Sequence, residues 1–90
     1  METLEEIIRR AVEEYNRYRS PEAVARVLEF KEGSVLIEFS GTFCETCGVY
    51  DWLEDFIYEL ERLDVGLTAR IEAWGRVSDR FLVRFAVRRM

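Results

Sequence analysis

The 90-residue sequence predicts a single α+β domain, residues 1–90, in the order αββαββ. Two segments with helical periodicity, each opened by a T-x-x-E capping box, and four short strand-like runs between turn residues support this. The pattern helix, strand, strand also occurs twice in succession, without matching residue identity. Both helices are expected on one face of a four-stranded antiparallel sheet, giving a two-layer sandwich.

Thr3 and Glu6 open the first helix, and Leu4, Ile7, Ile8, Ala11, Val12, Tyr15 and Tyr18 follow at steps of three and four. Tyr15 and Tyr18 are expected over the seam between helix and sheet. Ser20-Pro21 stops the helix, because the residue before proline is pushed out of the helical region. Residues 21–30 admit two readings. Val24, Val27, Leu28 and Phe30 suit a strand, whereas Ser20 as cap with Pro21 at the first position would start a helix. The strand is favoured. Lys31-Glu32-Gly33-Ser34 then reads as a tight turn with Gly33 at positive φ, leading into Val35 to Phe39 as the second arm of a hairpin.

Thr42 and Glu45 form the second capping box and place Cys44 in the first turn of the second helix. Val49, Trp52, Leu53, Phe56, Leu60 and Leu63 share its apolar face. Asp51, Glu54, Asp55 and Glu59 read as a solvated face. Asp64-Val65-Gly66 ends it. Two alternating runs follow: Leu67, Ala69, Ile71, Ala73 and then Phe81, Val83, Phe85, Val87, joined by a turn over residues 75–79. Their opposite face carries Arg70, Glu72, Trp74, Arg80, Arg84 and Arg88. The resulting topology is the ferredoxin-like βαββαβ order with its first strand moved to the end. A thioredoxin-like fold is the alternative if residues 21–30 are helical.

Apolar content of 49% with 34% charged residues describes an ordinary globular protein, and no apolar run approaches the roughly 18 residues of a membrane span. The acidic N-terminus differs from a secretory signal, so a cytoplasmic protein is expected. Twelve Arg against one Lys, fourteen Glu, one Asn and no Gln fit a hyperthermophile. Residues 1–65 hold sixteen acids and seven bases, whereas residues 66–90 hold six Arg and two acids. Such bipolar charge suggests self-association, and a homodimer is expected. There is no His, no nucleophile-base pair and no phosphate-binding glycine loop, so hydrolase, kinase and nucleotide-binding functions lack support.

The main chemical signature is Cys44-Glu45-Thr46-Cys47 at a strand-helix junction. A Cys-x-x-Cys at a helix start suits a disulfide, and the helix dipole there favours a thiolate. The structural reading is a local disulfide contributing about 2 kcal/mol. The redox reading makes Cys44 the nucleophile and Cys47 the resolving thiol. No metal site is assigned, since tetrahedral zinc needs four ligands and one chain offers two thiolates and no His. No cofactor is assigned either. On the second sheet face, Arg70, Arg80, Arg84 and Arg88 with Trp74 as a stacking surface would suit RNA, although a pI near 4.8 favours a solvated or dimer-paired face.

The segment from Val35 to Cys47, an apolar strand, an aromatic residue and Cys-x-x-Cys before a helix, resembles the active-site strand and loop of thioredoxins over about thirty residues. That likeness implies thiol-disulfide exchange at Cys44 and Cys47. Phe-Ser-Gly-x-Phe-Cys-x-Thr-Cys-Gly also resembles a pattern in short uncharacterised archaeal proteins, which implies no activity. The leading expectation is a non-catalytic small protein stabilised by a Cys44–Cys47 disulfide and by homo-oligomerisation. The alternatives are a thiol-disulfide oxidoreductase and an RNA-binding module, so whether the chain is an enzyme stays open.

Overall fold

A computed structural model describes residues 3–45 and 48–90. Helix α1 spans Leu4–Arg19, strands β1 and β2 span Val24–Lys31 and Ser34–Ser40, helix α2 spans Val49–Arg62, and strands β3 and β4 span Leu67–Val77 and Arg80–Arg89. The four strands form one antiparallel sheet in the order β1-β2-β4-β3. This is the αββαββ two-layer arrangement expected from the sequence, with both helices on one face. Of the two readings open for residues 21–30, the strand is the one present, as Val24–Lys31.

The capping box of α1 is formed in both directions: the Glu6 N–H donates to the Thr3 hydroxyl at 3.1 Å, and the Glu6 carboxylate accepts from the Thr3 N–H. Ile8, Ala11, Val12 and Tyr15 of α1 and Leu53, Phe56 and Leu60 of α2 meet Val35, Ile37 and Phe39 of β2 and Phe81, Val83, Phe85 and Val87 of β4. These two central strands supply most of the sheet's share of the core, because only a strand flanked on both sides is fully covered by two helices. Phe39 lies edge-on to Tyr15 at 5.4 Å between ring centres, and Phe56 meets Phe85 at 4.9 Å. Tyr18 departs from expectation: it is exposed, with the Arg62 guanidinium above its ring.

Glu59 also departs from the solvated face expected of it. It is buried, and its carboxylate accepts from Arg19 of α1 at 2.8 Å and from Arg62 at 3.4 Å. Arg19 additionally reaches Asp55 at 3.5 Å and lies over the Tyr15 ring. The acidic side of α2 turns toward the basic end of α1, and burial of a carboxylate is tolerable only with such partners.

Two β-bulges reshape the edge strands. In β1 the register with β2 shifts between Val27 and Glu29, leaving Leu28 as the extra residue. In β3 the register with β4 shifts between Ile71 and Ala73, leaving Glu72 extra. Side chains alternate with period two, so one inserted residue exchanges the faces of everything beyond it. Leu67, Ala69 and Ile71 therefore face the helices as expected, whereas Ala73 faces away. Trp74 and Arg76, paired with Val83 and Phe81, come to the helix side.

Candidate functional site

The junction between β2 and α2 differs from a simple helix start. Thr42–Glu45 form a single 3₁₀ turn, and α2 begins at Val49 with Gly48 as its N-cap at φ 77°. Gly48 has no side chain to cap with, and its carbonyl accepts from the Asp51 N–H at 3.0 Å. The Thr42 and Glu45 capping box expected for α2 is thus not its start, and Cys44 lies ahead of the first helical turn. The thiolate-favouring macrodipole acts within that first turn and does not reach Cys44 as supposed. Cys47 lies outside the described residues, and so does the expected Cys44–Cys47 bond.

Cys44 is only 5% exposed and belongs to the core cluster. Its N–H donates to the Gly41 carbonyl at 3.2 Å, and its own carbonyl accepts from Arg76 Nη1 at 3.2 Å. Phe43 beside it is fully enclosed, stacked on Trp52 at 5.7 Å and Phe81 at 6.1 Å. The turn is held from behind by Phe43, whose N–H donates to the Glu22 carbonyl at 3.0 Å. Arg76 completes the junction, its guanidinium lying over the Phe81 ring and its Nε donating to the Ser78 carbonyl.

Sequence periodicity missed Arg76 because the bulge at Glu72 changes its face. One signal was present: the apolar step from Ile71 to Trp74 is three residues, not two. The same shift separates Trp74 from the arginines. Arg70, Arg80, Arg84 and Arg88 do share the face turned away from the helices. Trp74 instead packs on Phe81 and on Tyr50 of α2, each at 5.7 Å. The composite of four arginines around a tryptophan is therefore not assembled on one face.

The arginine face is also partly neutralised. Glu38 accepts from Arg80 at 3.0 Å and pairs with Arg26 at 3.4 Å, tying β1, β2 and β4 together. Hydrogen bonding to Glu38, and then to Asp79, raises the Arg80 pKa further above its ordinary value. Arg84 bonds Ser34 and meets Glu29 at 3.5 Å. Of the four arginines on that face, Arg70 and Arg88 lack an acidic partner among the described residues.

Among the described residues there is no pocket and no group of three or more metal-ligating side chains. No described helix is long and apolar enough to cross a membrane. No protein-family model, curated protein or solved structure matches the chain.

Proposed function

We propose that the chain is a non-catalytic interaction domain, stapled at the junction of β2 and α2 by a Cys44–Cys47 disulfide and working as a homodimer. The burial of Cys44 carries this reading. Thiol-disulfide exchange needs a thiolate that reaches another sulfur in line, and access governs its rate. A sulfur on a core residue whose own N–H and carbonyl are already bonded suits a cross-link better than a nucleophile. The composition, together with the Arg26–Glu38–Arg80 network, supports a cytoplasmic protein of a hyperthermophile.

Equilibrating the protein with thiol buffers of known potential tests the proposal. A Cys44–Cys47 couple below about −300 mV is expected for a structural cross-link. A potential near −200 to −270 mV, where thioredoxin and glutaredoxin work, with turnover of a disulfide substrate, would overturn it.

A further inference from the structure

Among the exposed large apolar side chains, Tyr50 and Trp74 pack together where β3 runs beside the start of α2, and Val77 ends β3 on the opposite sheet face. Two of them lie on β3, which is a sheet edge with no strand on its outer side among the described residues. The two edges of this sheet are not alike. On β1, Asn16 of α1 occupies the outward groups of Ala25: its Nδ2 donates to the Ala25 carbonyl at 3.0 Å and its Oδ1 accepts from the Ala25 N–H at 2.7 Å. On β3, every residue from Glu72 to Val77 is exposed. An exposed edge of this length is a template for pairing with another chain.

We infer that β3 is the dimer edge, joined to β3 of a second copy in antiparallel register about Trp74. This rests on the homodimer reading above and specifies its surface. The geometry follows from the hairpin. Val77 and Arg80 flank the two-residue turn Ser78-Asp79, so they form a hydrogen-bonded pair and the outward groups of β3 belong to Trp74 and Arg76. A two-fold axis at Trp74 sets those outward groups against the same groups of the partner. It also sets Glu72 opposite Arg76 of the second copy, and Arg76 opposite its Glu72. Two acid-base pairs arise from one symmetry operation, which a two-fold interface requires. Registers centred on Glu72 or on Ala73 would instead oppose Glu72 to itself or Arg70 to Arg76. The bulge at Glu72 marks one end of the paired stretch, and residues 73–77 beyond it are regularly paired with β4.

Light scattering over a concentration series, with amide exchange followed in parallel, tests this on the full chain. Expected are a dimer, slower exchange at residues 72–77 as the dimer fills, and about tenfold weaker dimerisation for Glu72→Arg, which opposes Arg to Arg twice. Arg88→Glu, remote from the edge, should leave dimerisation unchanged, and both variants should keep the native circular dichroism spectrum. A dimer indifferent to Glu72→Arg, with exchange slowed elsewhere, overturns the β3 register and leaves the homodimer reading standing. A monomer at every concentration overturns both.

Discussion

At Gly41 the backbone takes φ 121°, and a Cβ there would lie 2.8 Å from the Glu22 carbonyl carbon and 3.0 Å from the Pro21 oxygen. Both obstacles are backbone and cannot swing aside. Because Phe43 bonds the same Glu22 carbonyl, this glycine sets how closely the cysteine-bearing turn approaches the loop after α1. Gly41→Ala should cost about 3 kcal/mol or more, read as a lower urea midpoint. Tyr15 illustrates a different constraint. Its hydroxyl donates to the Trp52 carbonyl at 2.7 Å inside the core. Burial pushes its pKa well above the ordinary value of 10.0; Arg19 opposes the shift, while Asp55 and Cys44 add to it. A raised folded pKa stabilises the native state fully below the unfolded pKa, and that stability is lost as pH rises through the folded one. Unfolding free energy should therefore fall above pH 10, by at most about 1.4 kcal/mol per pH unit from this group. Tyr15→Phe, compared with wild type across an alkaline denaturation series, should remove that part of the slope.

Among the elements, β1 depends most on a single side chain outside the sheet. Asn16 pairs with Ala25 as a neighbouring strand would, closing both outward backbone groups and fastening α1 to that edge. Asn16→Ala leaves an N–H and a carbonyl beside the core with neither bond. A loss of about 2 kcal/mol is expected in chemical denaturation, with faster hydrogen exchange at the Ala25 amide than at residues of β2. The bulges at Leu28 and Glu72 act at the same level. Each leaves its strand paired yet turns the remaining side chains over, and the second moves Trp74 and Arg76 to the cysteine junction.

Over the whole molecule, the C-terminal hairpin carries the positive charge and the rest of the chain the negative, but contacts across the sheet blunt the contrast. Glu38 and Glu29, from the acidic part, lie against Arg80 and Arg84 of the basic part. Two arginines, Arg70 and Arg88, remain to meet phosphate on that face. Binding to a generic single-stranded RNA should show a slope of log affinity against log salt no steeper than about −1.4, the value for two phosphate contacts. A slope several times steeper, abolished by Arg80→Ala and Arg84→Ala, would restore the sheet face as an RNA surface.

Both helices, both hairpins and their order were legible in the residues themselves, since the Thr3–Glu6 capping box, Pro21, Gly33, the helical spacing from Val49 to Leu63 and the alternation of Val35 to Phe39 act through neighbours along the chain. Antiparallel pairing and a core shared by both helices then followed from burying each apolar face once. Tertiary packing alone decided the fate of Trp74, Arg76, Glu59 and the turn at Cys44. A bulge depends on how two strands meet, and the burial of a carboxylate depends on which arginine the other helix brings to it. Neither is written in local periodicity, because each is a free energy of contact between segments far apart in sequence.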